Sequence, residues 1–141
     1  MRMDRKEYFL EIAKLVAERS TCLRAKVGAV LVHKNRIVST GYNGSPPGAK
    51  HCIDDGVGCL EVAGHCIRTI HAELNAILHL EHNYDELELY CTHSPCINCL
   101  KAMITINVKH IYYRISYPDS SVDKLLSDLR PSRIMITHIL N

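Results

Sequence analysis

The chain has 141 residues, a length that predicts a single domain. With 47% hydrophobic and 23% charged residues, its composition excludes a disordered chain and is typical of a globular protein. The formal net charge is only +2 and no block of five like charges occurs, so the basic stripe of a dedicated nucleic-acid binder is missing from the sequence.

Helices and strands alternate along most of the sequence. In chain order, the hydrophobic patterns predict a helix over 4–20 capped by Asp4, strands over 27–33 and 36–42, a helix over 70–82, a strand over 86–93, a helix over 96–107, a strand over 109–115, a helix over 120–130 and a strand over 132–140. Strands separated by helices favour a partly parallel sheet covered on both faces. We therefore predict an α/β fold, a three-layer α/β/α sandwich around a five-stranded mixed sheet, in one domain over 1–141.

Two segments between these elements lack a hydrophobic period. Residues 43–50 (NGSPPGAK) consist of turn-forming residues throughout. Residues 51–66 are rich in Gly, Cys and Asp, and they predict a loop that needs an outside constraint to hold its shape.

The sequence start and the cysteine content bear on the cellular compartment. The first ten residues, MRMDRKEYFL, contain no uninterrupted apolar stretch, and no apolar run approaches membrane-spanning length. We therefore expect no signal peptide, no membrane partner and a cytoplasmic location. In a reducing compartment, seven cysteines indicate metal ligands or packed thiols rather than disulfides.

Two short motifs contain residues suited to binding zinc and transferring protons. His71 opens the helix predicted at 70–82, and Cys96 and Cys99 stand at the turn into the next helix, where the helix N-terminus stabilises thiolates. One imidazole and two thiolates leave the fourth position of a tetrahedral zinc ion for water, as catalytic zinc sites require. Glu73 follows two residues after His71, where it can reach that water without binding zinc and can transfer its proton.

Each motif has an ordinary explanation when taken alone. Cys96 and Cys99 could form a redox pair or a structural zinc knuckle, and His71 and Glu73 could be a solvated helix start. Together, separated by a predicted helix and strand, they favour a catalytic zinc site. The combined pattern H-x-E…P-C-x-x-C is the signature of zinc-dependent nucleobase deaminases, in which the Glu acts as general acid and base.

Further segments carry a more specific resemblance: VGAV (27–30), STGYNGSPPG (39–48), HAELNAI (71–77) and THSPCINC (92–99). In this order, from about residue 5 to residue 119, they resemble the deoxycytidylate (dCMP) deaminase branch of the cytidine deaminase superfamily. The resemblance implies hydrolytic deamination of dCMP to dUMP for thymidylate synthesis. It also implies a homohexamer that is activated by dCTP and inhibited by dTTP with a divalent cation such as Mg²⁺.

The resemblance also assigns roles to individual residues. It implies that Zn²⁺ is bound by His71, Cys96 and Cys99 and that Glu73 transfers protons. It implies substrate contacts at Asn43, Ala72 and Tyr117, with Asp119 nearby. It also implies that Tyr42 and Gly44 belong to the loop that binds the allosteric nucleotide. Asn43 has an alternative role as a turn residue, and Tyr117 as a structural tyrosine.

Recognition of the substrate phosphate is less well defined. Arg24 and Lys26 are the candidates, because a monophosphate favours cationic side chains. Family members often carry a basic side chain near the end of the His-Ala-Glu helix, where this chain has only His79 and His82. This departure leaves dCTP open as a second substrate.

A second, structural zinc ion is predicted for the loop at 51–66, which has few apolar residues to hold it. The predicted ligands, a pattern that bacterial and phage relatives often share, are Cys22, Cys52, His65 and Cys66. Alternatives are that Cys59 replaces one of them or that these are free thiols. Cys91, within a predicted strand, is expected to be a packed core thiol.

Three other functions remain open at this point. A tRNA adenosine deaminase shares the zinc motifs, but the near-neutral charge and the Cys/His-rich insertion count against it. A free-nucleoside cytidine deaminase would lack a phosphate pocket. A non-enzymatic zinc module would have no use for Glu73.

Overall fold

The computed structural model describes residues 1–140, and it contains the predicted elements in the predicted order together with one additional hairpin. The elements are α1 (Arg5–Ala17), β1 (Gly28–His33), β2 (Arg36–Tyr42), β3 (Glu61–Val62), β4 (His65–Cys66), α2 (Ala72–Leu78), β5 (Leu87–His93), α3 (Ile97–Thr105), β6 (Val108–Ile115), α4 (Ser120–Asp128) and β7 (Met135–His138). Asn141, the last residue of the predicted domain, lies outside the described residues. Among residues 1–140, no helix has the length and apolar character needed to cross a membrane.

The five longer strands form one mixed sheet in the order β2-β1-β5-β6-β7. β1 is antiparallel to both β2 and β5, whereas β5, β6 and β7 are parallel to one another. Parallel neighbours require a crossover, and α3 and α4 provide the two that this sheet needs. The predicted mixed sheet is confirmed.

Helices cover both faces of the sheet, which confirms the three-layer sandwich. On one face α1 packs alone, with Phe9, Leu10 and Ala13 against the aromatic rings of Tyr90 and Tyr112 and neighbouring valines. On the other face the buried side chains of α2 and α3, together with partly buried leucines of α4, pack against β1, β5 and β6. Asp4 caps α1 as predicted, because its carboxylate accepts hydrogen bonds from the first backbone N–H groups of that helix.

Two glycines allow helices to lie directly on the sheet. A Cβ at Gly28 would lie 2.0 Å from the carbonyl oxygen of Ala13 in α1. A Cβ at Gly41 would lie 2.3 Å from the carbonyl oxygen of Ala72 and 2.4 Å from the backbone nitrogen of Ala76, both in α2. These contacts fix the distance of each helix from its strand, and Gly41 thereby fixes the helix that follows His71.

The structure differs from the prediction most clearly in two places, and elsewhere the ends of helices and strands differ by a few residues. The loop predicted at 51–66 contains the β3–β4 hairpin, whose turn residues Ala63 and Gly64 have φ values of 52° and 81°. Strands of two residues are too short to show a period. The helix predicted at 70–82 ends at Leu78, because the chain turns there and the N–H of Leu80 bonds to the carbonyl of Ile77.

Candidate active site

His71, Cys96 and Cys99 meet at one end of the sheet. The Nδ1 atom of His71 lies 3.6 Å from the Sγ of Cys96 and 3.4 Å from the Sγ of Cys99. All three ligand atoms lie within 4.8 Å of one another. The sequence prediction that these side chains converge therefore agrees with the geometry.

These distances fit a zinc ion. With Zn–S near 2.3 Å and Zn–N near 2.0–2.1 Å, tetrahedral ligands are separated by about 3.6 Å for nitrogen and sulfur. The two His71–cysteine separations are 3.6 Å, equal to that value, and 3.4 Å, slightly below it. The donor set of one imidazole and two thiols is also one that zinc prefers, and it leaves one position of a tetrahedron for another ligand.

The local fold explains why the three side chains face one another. His71 is the N-cap of α2 and Cys96 is the N-cap of α3, so both stand where a loop enters a helix. A backbone bridge between Gly44 and Ile70, with bonds of 2.8 and 3.2 Å, anchors the residue before His71 to the segment that follows β2. The strand that precedes Cys96 is the central one of the sheet.

The surroundings favour a thiolate at Cys96. Hydrogen bonding with Cys99, together with His71, lowers the pKa of Cys96 to about 4 despite partial burial. The same contact with Cys96 raises the pKa of His71. A thiolate is the form of cysteine that binds metals.

Glu73 lies beside these ligands in the first turn of α2, and its side chain is only 5% exposed. Burial raises the pKa of this carboxyl, and the nearby His71 opposes that effect only in part. A carboxyl group with a raised pKa can both accept and return a proton near neutral pH, which suits a general acid and base.

Residues 3–115 match the profile of the cytidine and deoxycytidylate deaminase zinc-binding region. The chain belongs to this family.

Individual relatives of this chain agree with the family match. ComE operon protein 2 of Bacillus subtilis (strain 168) is 45% identical over 82% of the chain and 62% of that protein. The deoxycytidylate deaminase of Schizosaccharomyces pombe is 38% identical over 84% of the chain and 40% of that enzyme. The chain thus spans less than two thirds of the length of these curated relatives. The dCMP deaminase of cyanophage S-TIM5, solved in complex with dCMP and dUMP, matches with a TM-score of 0.79 and 31% identity over 99% of both chains.

The predicted substrate residue Asn43 is buried, and its side chain already forms hydrogen bonds with the backbone. Its Oδ1 accepts from the N–H of Val27 at 2.9 Å, and its Nδ2 donates to the carbonyl of Ala25 at 2.8 Å. A carboxamide still has one further N–H and one further acceptor position. Tyr42 and Gly44 flank Asn43, and the carbonyl of Tyr42 accepts a bond from Asn75 of α2.

The other residues predicted to contact the substrate differ in their exposure and in their interaction partners. Ala72 is fully buried beneath β2, whereas the side chain of Tyr117 is exposed. Arg24 donates to the carbonyl of Gly64 and lies 3.7 Å from Glu61. Lys26 pairs with Glu18 at 3.2 Å. Both predicted phosphate ligands thus have partners within their own chain, and their role remains a prediction.

The structure brings together a second group of cysteines, which differs from the predicted ligand set. Cys52, Cys59 and Cys66 have sulfur atoms within 4.8 Å of one another, and those of Cys52 and Cys66 are 3.5 Å apart. Within residues 1–140, neither His65 nor Cys22 is a member of this group. His65 and Cys66 are consecutive in β4, where neighbouring side chains point to opposite faces, so His65 is exposed instead.

Within this group a thiolate is favoured at Cys66 but not at Cys52. Burial raises the pKa of Cys52 to about 12. Burial acts the same way on Cys66, but hydrogen bonds from backbone groups at Arg68 and Leu60 outweigh it and lower its pKa to about 7. The sequence predicts Cys59 only as an alternative ligand of the second zinc ion. Its place beside Cys52 and Cys66 depends on the β3–β4 hairpin, which has no clear sequence signal. Cys91, in contrast, is fully buried in the core, as predicted.

Proposed function

We propose that this protein is a zinc-dependent dCMP deaminase that converts dCMP to dUMP and ammonia. The observation that carries the proposal is the convergence of His71, Cys96 and Cys99 at zinc-ligand distances beside the buried Glu73. The family membership and the likeness to a dCMP deaminase over nearly the whole of both chains support the choice of substrate.

Metal binding and proton transfer would be carried out by different residues of the site. His71, Cys96 and Cys99 would hold zinc, which supplies Lewis-acid activation of water. Glu73 would accept one proton at its carboxylate and deliver it to the ring nitrogen, and would then accept a second proton and deliver it to the leaving amine. Because the carboxyl is almost completely buried, bulk water cannot compete for that proton, and the same group serves each transfer.

Substrate binding would use residues around this centre. The free N–H and acceptor position of Asn43 suit a sugar hydroxyl, which is both donor and acceptor. Tyr117 is exposed and able to cover a base, and Ala72 would contribute its backbone next to the catalytic carboxyl. Arg24 and Lys26 would bind the phosphate by exchanging their present partners, which costs little for surface ion pairs.

The test is the loss of ultraviolet absorbance when purified protein is mixed separately with dCMP, dCTP or deoxycytidine. Turnover of dCMP is expected, and turnover of deoxycytidine alone would assign the chain to a nucleoside deaminase. The Glu73→Gln variant should bind zinc as the wild type does but lose roughly 10²- to 10⁴-fold in kcat, since an amide cannot carry the proton. The exposed Glu81→Gln serves as the matched control and should be fully active.

Regulation and assembly belong to the same proposal. We infer activation by dCTP, inhibition by dTTP with Mg²⁺, a homohexamer, and a role in supplying dUMP for thymidylate synthesis. These inferences rest on the family resemblance of the segment with Tyr42 and Gly44, which is bonded to the residue before His71. Adding each nucleotide to the dCMP assay tests the regulation, and sedimentation with and without nucleotide tests the assembly.

A second zinc ion at Cys52, Cys59 and Cys66 is also proposed. The separation of 3.5 Å between two of these sulfur atoms is close to the roughly 3.8 Å expected for thiolates on one zinc. Cys22 is the fourth ligand that we favour, because Arg24 ties its segment to the hairpin at Gly64. His51 is the other candidate, since its buried Nδ1 has no hydrogen-bond partner among the described residues. Measuring the zinc content of the Cys22→Ser and His51→Ala variants would distinguish these two candidate ligands.

A further inference from the structure

The helix that carries two of the zinc ligands has an unusual start. Cys96 occupies the N-cap of α3, and in the described part of the chain its side chain caps no backbone N–H of that helix. Its Sγ is directed instead toward His71. The N–H of Ile97, the first residue of α3, donates to Oδ2 of Asp119 at 2.9 Å. The cap that the ligand cannot provide is therefore supplied by a carboxylate from beyond β6.

The same carboxylate also caps a second helix. Asp119 is the N-cap of α4, and its Oδ1 accepts a hydrogen bond from the N–H of Ser121 at 3.0 Å. Both oxygens are thus engaged, and one side chain joins the N-termini of α3 and α4. Negative charge is favourable at both positions because helix N-termini carry partial positive charge.

Ser94 links the same two segments a few residues earlier. Its N–H donates to the carbonyl of Ile115 at 3.0 Å, which extends the β5–β6 ladder. Its hydroxyl donates to the carbonyl of Tyr117 at 3.0 Å and accepts from the N–H of that residue at 2.7 Å. Together with the hydrogen bond that Ile97 donates to Asp119, these contacts connect the sheet to the first turn of α3.

We propose that Asp119 is a positioning residue for the zinc centre, with Ser94 in a supporting role. The carboxylate fixes the backbone one residue after Cys96, and so fixes the direction of that thiol toward His71. This inference rests on the proposed function only in requiring zinc at His71, Cys96 and Cys99, so it is tested by metal binding rather than by turnover.

The experiment measures zinc affinity of the full chain by competition with a chelator, and the visible spectrum after cobalt substitution. The Cys96→Ser variant identifies the signal of this site against that of the second cysteine group. We expect Asp119→Ala to weaken zinc binding here roughly 10- to 100-fold, the usual effect of removing a group that orients a ligand, and to shift the cobalt spectrum. The Asp119→Asn variant retains one acceptor oxygen, so its zinc affinity should lie between those of Asp119→Ala and the wild type.

Asp4→Ala is the matched control. It removes a carboxylate cap of the same kind from α1, on the opposite face of the sheet, and should lower stability without changing zinc affinity or the cobalt spectrum. Wild-type zinc affinity in Asp119→Ala would overturn the proposal. If that variant does not fold, Asp119→Asn and Ser94→Ala decide the matter, because unchanged zinc binding in both would contradict it. A protein that binds zinc here but does not deaminate dCMP would refute the proposed function alone.

Discussion

Gly41 offers the sharpest test of how the fold positions the catalytic helix. A Cβ at this position would lie 2.3 Å from the carbonyl oxygen of Ala72, and α2 must retreat by about 1 Å before that contact reaches an ordinary 3.4 Å. The clashing atoms belong to backbone, so no side chain can turn away. Overpacking of this kind costs about 1–3 kcal/mol of stability. A shift of 1 Å in a catalytic group can cost about 100-fold in rate.

Gly28→Ala provides a matched comparison for Gly41→Ala. It creates an equally severe backbone clash, 2.0 Å from the carbonyl oxygen of Ala13, but with α1 on the face away from the zinc ligands. Urea unfolding should show a lower free energy of unfolding in both variants. The kcat for dCMP, measured on folded and zinc-loaded protein, should fall by about two orders of magnitude in Gly41→Ala and stay near the wild-type value in Gly28→Ala.

Two results would refute this reasoning. If Gly41→Ala were as active per folded molecule as Gly28→Ala, the contact with α2 would not set the position of His71 and Glu73. If Gly41→Ala were as stable as the wild type, the sheet and helix would separate without cost, and the close approach would have no structural role.

Two other predictions follow from the cysteine group and from a half-buried histidine. Cys59→Ser should lower the zinc content by one ion per chain, whereas the core variant Cys91→Ser should leave it unchanged; equal zinc contents by metal analysis would contradict the second site. Partial burial lowers the pKa of His110 below its ordinary 6.5, while the nearby Glu88 opposes this effect and Lys6 adds to it. The folded state therefore binds fewer protons than the unfolded state, and stability falls as the pH drops through that value. Denaturant unfolding at pH 7.5 and 5.5 should therefore show a weaker pH dependence in His110→Gln, and an unchanged dependence would count against the assignment.

Features that depend on neighbouring residues could be predicted from the sequence. The cap of α1 by Asp4 follows from a short polar residue directly before an amphipathic helix, and the structure confirms it. The spacing of Cys96 and Cys99 at a helix start likewise indicated that both sulfur atoms would face one metal. The capping of α3 by Asp119 could not be predicted in this way, because the two segments meet only through the pairing of β5 with β6.

The second cysteine group shows the same limit. The choice between His65 and Cys66 depends on which face of β4 each occupies, and a strand of two residues carries no alternating pattern from which to infer it. Cys59 joins Cys52 only because the hairpin turns back on itself at Ala63. Spacing alone could therefore identify a cysteine-rich segment and suggest a metal, but it could not select three ligands from several candidates.

The environments of Cys96 and Glu73 shift the pKa values of a thiol and a carboxyl in opposite directions. The ordinary pKa values are 9.0 for cysteine and 4.5 for glutamate, whereas the site lowers that of Cys96 to about 4 and raises that of Glu73. The causes are different: Cys96 gains hydrogen bonds from Cys99 and His71, whereas Glu73 loses its solvent. The site therefore favours the thiolate form of Cys96, which can bind a metal, and the protonated form of the Glu73 carboxyl. Opposite shifts of this kind support the proposed division of roles, in which Glu73 transfers protons and Cys96 binds the metal.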